Sequence, residues 1–326
     1  MVRSQHHIAQ STLTAQWTHR LPLFQSAAPA EHATHLLAQV LGNITDSAST
    51  PYTVIDFCSG AGGPIPSIER SINAQRKSAD LPPVHFRVSD LYPDIDAWIA
   101  LSAHSAHLSY FPQPLDATHM PPGAVSVARR HRLVLPEDHL DRAGPHAHDE
   151  VNLSGEVVLR QRRREERNHD ARVLATGQTA HTKVVHLFCL AFHHFDDEQA
   201  RAVLSQTLGA ADAFVVLELQ DRSLGCLAMM MFEGWLVLAV SWVWFWGEWG
   251  RFALTYGLPV VPVVHWWDGI VSCLRTRTFR EMRALIDGVL AEDRREREED
   301  VVDNGHAEDV WPSKGVGEWT LSRVRI

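Results

Sequence analysis

Val54-Ile55-Asp56-Phe57-Cys58-Ser59-Gly60-Ala61-Gly62-Gly63-Pro64 is the stretch on which the reading of this chain turns. An apolar run carrying an acid gives way to a glycine turn, which opens into a helix containing Ile68. Glycines tolerate positive φ and let a ligand approach the backbone closely. A helix start also presents N–H groups to a polar or anionic ligand. Together these features predict a nucleotide-binding turn at the carboxyl end of a buried strand. It is not a phosphate-cradling P-loop, because no Gly-Lys-Ser/Thr follows. It also departs from Gly-x-Gly-x-x-Gly, since Cys58 stands two residues after Asp56 where that pattern has glycine. A tight turn whose glycines serve packing alone is the competing reading.

Working outward, strand-like and helical stretches alternate. Val84 to Val88 predicts a second strand, ending at Ser89-Asp90. Val184 to Leu190 is a mostly apolar run of the kind found in a parallel sheet covered on both faces. Asp196-Asp197 caps a predicted helix whose inward positions are Ala200, Val203, Leu204 and Leu208. Ala213 to Leu219 is a further buried strand. Helices are also predicted over Glu31–Leu41 and Thr278–Leu290. Strand, loop, helix and strand at this spacing define an α/β class.

Two later motifs sit where a nucleoside would need them. Asp90 ends the second strand, and an acid there accepts hydrogen bonds from a ribose diol. Pro114-Leu115-Asp116-Ala117 places a polar side chain after a turn, where it reads an adenine amino group. Each has a plainer alternative, a solvated turn residue. Taken together, Asp56-Phe57-Cys58-Ser59-Gly60-Ala61-Gly62-Gly63-Pro64, Ser89-Asp90-Leu91-Tyr92-Pro93 and Leu115-Asp116-Ala117 resemble successive cofactor motifs of class I S-adenosylmethionine-dependent methyltransferases. The resemblance continues at Phe192-His193-His194-Phe195 with Gln199-Ala200-Arg201, at Val216-Leu217-Glu218-Leu219, and at Trp267 to Arg275.

That resemblance covers roughly 51–122 and 183–219. It implies a Rossmann-like sheet of seven strands, mostly parallel, flanked by helices and ending in a reversed strand near the C-terminus. The stretch Trp319 to Val324 is the candidate for that strand. It carries cofactor contacts over to Asp56, Cys58, Ser59, Gly60 and Gly62 in the loop, to Asp90 and Leu91 at the ribose, and to Asp116 and Ala117 at the adenine. S-adenosylmethionine is the implied cofactor and a small molecule the implied methyl acceptor.

Composition bounds the rest. The chain has 326 residues, 45% apolar and 21% charged, which excludes wholesale disorder and fibrous classes. Lys+Arg of 30 against Asp+Glu of 39 gives a net charge of −9, so no nucleic-acid partner is expected. Cys58, Cys189, Cys226 and Cys273 are scattered without a C-x-x-C pair, which predicts a reduced, cytoplasmic protein. Met1 to Arg20 lacks a secretory apolar core; its basic, acid-free composition leaves a mitochondrial presequence as an alternative.

The organisation predicted is an N-terminal helical extension over 1–50 and a methyltransferase-like domain over 51–326, with two interruptions. The first, 123–182, has no Phe, Trp or Tyr and crowds charge into Arg162 to Arg167, which predicts a partly disordered insertion. Its His139, His146, His148 and His169 lack metal-ligand spacing, so no metal is expected. The second, 225–262, opens with 22 residues, Gly225 to Trp246, whose only charge is Glu233. Five Trp lie between 235 and 249. Three readings stand for 225–249: an apolar helical lid, an interfacial helix contacting a membrane surface, and a span.

Methyl transfer is an in-line displacement, so positioning supplies much of the rate and an O- or N-nucleophile also needs a base. His193 and His194 follow the fourth strand at its carboxyl end, where ligands bind in such sheets. They are the candidate catalytic residues; the plainer reading is a helix cap. Two rivals remain open: a cofactor-binding module without turnover, and an NAD-dependent oxidoreductase sharing the strand, loop and acid.

Overall fold

The structure, a computed structural model, describes residues 17, 18, 20, 27–44, 50–120, 182–244, 249, 253–257 and 260–304. Five strands form one sheet: β1 (Tyr52–Phe57), β2 (Val84–Ser89), β3 (Leu108–Tyr110), β4 (Lys183–Cys189) and β5 (Ala213–Leu217). Their order is β3-β2-β1-β4-β5, and every pair is parallel. β1 is central, with Tyr52 facing Val84 on one side and Lys183 on the other. Its side chains are buried almost without break, because helices cover both faces.

The pleat sorts the core into two layers. Tyr52, Val54, Phe86, Val88, Val185, Leu187 and Val215 point to one face. There they meet Leu37 and Leu41 of α1 (Pro29–Asn43), Ile68 and Ile72 of α2 (Ile65–Ser78), and Trp98 of α3 (Ile95–Ser102). Ile55, Phe57, Val184, Phe188 and Phe214 point to the other face. They meet Val203 and Leu204 of α4 (Asp197–Ala210), and Leu285, Ile286 and Val289 of α7 (Phe279–Asn304). The helix predicted before the first strand therefore belongs to the sheet core. Asp196 caps α4 as its sequence predicts: it accepts from Gln199 N–H at 2.8 Å while Gln199 accepts from Asp196 N–H at 3.1 Å.

Among the described residues the sheet has five strands, all parallel, rather than seven with one reversed. The segment proposed for the reversed strand, 319–324, lies outside them, as does the predicted insertion through residue 181. The charge run from Glu292 to Asp300, which reads in sequence as a solvated face or a linker, continues helix α7, and its residues 292–295 are exposed.

The Trp-rich region begins with α5 (Leu224–Trp244), and after a π-helical turn at Ala253–Gly257 the chain returns as α6 (Val260–Arg275). The two helices pack as a hairpin. A Cβ on Gly234 would meet the Trp266 ring at 3.3 Å, and one on Gly269 would meet Met230 Sδ at 2.8 Å, so glycine is what lets them approach. No helix among the described residues is long and apolar enough to cross a membrane; the stretch 225–249 includes residues 245–248, which lie outside them.

Candidate functional site

The strand order reverses between β1 and β4: from β1 the chain moves out to β2 and β3, then returns to place β4 on β1's other side. In open parallel sheets, ligands bind at the carboxyl ends of the strands at such a point. Both strands flanking it end in a non-glycine residue in the left-handed region, Cys58 (φ 58) after β1 and Leu190 (φ 53) after β4. Such strain costs on the order of 1–3 kcal/mol and gathers at functional sites. Cys58 thus adopts the backbone that a glycine would favour there, so its departure from the glycine pattern leaves the turn intact.

The loop after β1 is stitched to the end of β2. Ser59 N–H donates to the Ser89 carbonyl at 2.9 Å. Ser59 Oγ and Ser89 Oγ both donate to the Asp56 carbonyl, at 2.9 and 2.8 Å. Gly60 N–H donates to Asp90 Oδ2 at 2.9 Å, Tyr92 N–H to Asp90 Oδ1 at 2.8 Å, and Trp98 Nε1–H to the Gly60 carbonyl at 2.8 Å. Gly62 has φ +102, and an added Cβ would overlap Leu101 Cδ1. Asp90 and the loop therefore share one place, as the sequence predicts.

The helix start differs from expectation. Ile65 N–H is taken by the Gly62 carbonyl, Ser67 and Ile68 N–H by the Pro64 carbonyl, and Pro66 has no N–H. The first turn of α2 offers these donors to no anion.

The electrostatics around Cys58 join the three sequence motifs. Burial pushes its thiol up to about 12, with the carboxylates of Asp90, Asp56 and Asp116 adding to the rise. Asp56 lies beneath the loop, fully buried, and its carboxyl is pushed up to about 7 by burial. Its Oδ1 is buried without a hydrogen-bond partner. Asp116 stands on the rim, exposed, and Leu115 N–H donates to the Asp90 carbonyl at 2.9 Å. Much of Asp116's capacity is spent on its own turn, accepting from Thr118 N–H at 2.8 Å and Thr118 Oγ1 at 2.7 Å. Those bonds hold it below the usual carboxylate range. Leu91 is exposed beside Asp90, and Ala117 is buried.

Across the reversal, β4 ends at Cys189, whose thiol is held well above its usual value by burial, then by Asp56 and Glu218. This thiol links the loop side to a second cluster. His193 and His194 lie in a 3₁₀ turn, Phe192–His194, with ring centroids 4.2 Å apart. His193 is buried; its Nδ1 lies 2.8 Å from Glu218 Oε2, and its N–H donates to Glu218 Oε1 at 3.1 Å. A carboxylate only accepts, so neutral His193 carries its proton on Nδ1 and leaves Nε2 as a base. His194 reaches solvent, yet desolvation, reinforced by His193, holds it below the usual imidazole range.

Two arginines fix this turn. Arg275 donates to the carbonyls of His193 and His194, each at 2.9 Å. Arg277 donates to the carbonyls of Phe192 at 3.1 Å and Phe195 at 2.9 Å, and to Asp197 Oδ1 at 2.8 Å. Four consecutive carbonyls are thus held from the last residue of α6 and the loop that follows it. A cavity of about 280 Å³ beside Arg277, lined by Asp197, Arg201, Arg222 and Glu281, is a salt-bridged groove between α4 and α7.

Glu218, Arg275 and Arg277 are site residues that the sequence reading does not assign. Glu218 follows the apolar run of β5 as Asp90 follows that of β2, so the rule that selects Asp90 would have selected it. Arg275 ends the stretch Trp267 to Arg275 that the resemblance includes, without a role attached to it, and Arg277 carries no such signal. No protein-family model matches this chain, and no curated protein matches it.

Proposed function

We propose that this chain is an S-adenosylmethionine-dependent methyltransferase acting on a small, apolar acceptor. The observation that carries the reading is that hydrogen bonds draw Asp56, the glycine loop, Asp90 and the Leu115-Asp116 turn together at the β1/β4 reversal. The carboxylates of Asp90 and Asp116 give that place a charge that favours a cationic ligand and disfavours a pyrophosphate. The occupied donors at the start of α2 weigh in the same direction, against a dinucleotide.

The residues fit the cofactor. Asp90 faces the loop with two carboxylate oxygens that retain acceptor capacity beyond their backbone bonds, and the orphaned Asp56 Oδ1 awaits a donor. When bound, S-adenosylmethionine supplies an electrophilic methyl on a sulfonium. Gly60 and Gly62 keep the loop low, and Asp90 takes the ribose. His193 Nε2 accepts the proton of the acceptor's nucleophile, and Glu218 orients the ring and stabilises its charged form.

The α5–α6 hairpin carries exposed apolar side chains, with Trp235 at 72% and Trp267 at 63% exposed. We place its outer face against a lipid surface, where tryptophan is favoured. Sedimentation with vesicles tests this placement.

Isothermal titration with S-adenosylmethionine tests the main reading. The intact chain binds, and Asp90→Ala weakens binding at least about tenfold. Labelled cofactor with a lipid or metabolite extract then yields a labelled product, and His193→Ala lowers that yield about 10²-fold while binding persists. Absence of binding by the intact chain sinks the proposal; binding without transferred label leaves a cofactor-binding module.

A further inference from the structure

We propose that Cys226 and Cys273 are an oxidisable pair whose disulfide staples the foot of the α5–α6 hairpin. Their Sγ atoms lie 3.3 Å apart across 47 positions of sequence. Cys226 is in the first turn of α5 and Cys273 in the last turn of α6, so they meet where the hairpin joins the sheet domain. A disulfide needs about 2.0 Å between sulfurs, a closure of about an ångström. The inference stands independently of methyl transfer.

The two thiols differ in access, which sets their order of reaction. Cys226 is partly buried and Cys273 fully so. A small disulfide oxidant such as oxidised glutathione meets Cys226 first. The Cys226 thiolate attacks one glutathione sulfur, the glutathione S–S bond breaks, and one glutathione thiolate leaves. The Cys273 thiolate then attacks Cys226 Sγ, forming the protein disulfide and releasing the second glutathione. The cysteine pair loses two electrons and two protons, and both end on the two glutathione thiols.

The rival pair is Cys58 with Cys189, which follow Phe57 and Phe188, partners in the β1–β4 register. Burial and the surrounding carboxylates raise both of those thiols, and no sulfur-to-sulfur approach like the 3.3 Å between Cys226 and Cys273 is found for them among the described residues. Cys273 also lies two residues before Arg275, the arm that holds the His193 turn, so the staple anchors the helix end from which that arm projects.

The test equilibrates the full chain with excess oxidised glutathione, quenches it with acid, denatures it and labels it with a maleimide-polyethylene glycol. The reduced chain takes up four adducts, one per cysteine, and the oxidised chain takes up two. Its mass falls by about 2 Da, and a peptide map joins Cys226 to Cys273. Cys226→Ser and Cys273→Ser each fail to form this link. Chymotryptic cleavage in the hairpin slows several-fold on oxidation and recovers on reduction, a readout that does not rely on the variants folding. Four adducts after equilibration, a stable glutathione adduct on Cys226 alone, a Cys58–Cys189 link, or linkage between chains overturns the proposal.

Discussion

Asp56 is a carboxylic acid placed where ionisation is disfavoured. Its folded-state value, pushed to about 7 from an ordinary 3.8, reflects burial. Between these values the folded chain keeps a proton that the unfolded chain has released, so the group's contribution falls as pH rises and is lost once pH passes about 7. Asp56→Asn removes that loss. Urea midpoints at about pH 5 and about pH 8 give a variant-minus-parent difference that grows with pH by a few kcal/mol in free energy; a difference unchanged with pH contradicts the burial argument. Gly62 makes a second test at this scale. Gly62→Ala places a methyl at φ +102 against Leu101 and costs about 1–3 kcal/mol. Gly63→Ala, at φ +43 with open space around it, costs less in the same denaturation series.

Elements matter here through what they carry to a distance. The last residue of α6 and the loop after it deliver Arg275 and Arg277 to the carbonyls of residues 192–195, and the residue after β5 delivers Glu218 to His193. The carbonyls of that tight turn lack strand partners, and that of Phe192 also accepts from Phe195 N–H at 3.4 Å. Arg277→Ala withdraws bonds to Phe192, Phe195 and Asp197 from a side chain that is 8% exposed. It lowers stability by about 2–4 kcal/mol in thermal or urea unfolding, and Arg277→Lys restores little, because one ammonium does not reproduce the planar fork. The strands themselves are legible: the runs from Val54, Val84, Val184 and Ala213 are read from their apolar residues and found as parallel strands. The arginines are not, since nothing in the residues near 275 indicates which backbone they reach some 82 positions away.

At the scale of the whole molecule, a covered sheet and an uncovered hairpin stand side by side. Both sheet faces are packed by helices, whereas the hairpin leaves Phe232, Trp235, Trp242, Val264 and Trp267 exposed. Seven of the chain's eleven tryptophans fall between residues 223 and 274, with Glu233, Glu248, Arg251 and Asp268 the only charged residues in that interval. An apolar surface of this kind marks a contact site. Trp235→Ser with Trp267→Ser reduces co-sedimentation with phosphatidylcholine vesicles several-fold while the unfolding transition changes little; sedimentation equal to the parent's removes the lipid placement.

The sequence by itself determined what depends on neighbours along the chain. Apolar runs of strand length, the glycine turn, the Asp196 cap and the helix over 279–290 all follow from local sterics, capping and the period of burial. The tertiary structure alone decided the strand order, the five parallel strands of the described sheet, the pairing of Glu218 with His193 across 25 positions, and the meeting of Cys226 with Cys273 across 47. Backbone conformation is chosen by forces acting over a few residues. Which distant side chains then meet is set by how the packed layers register, a property of the whole core that no single segment encodes.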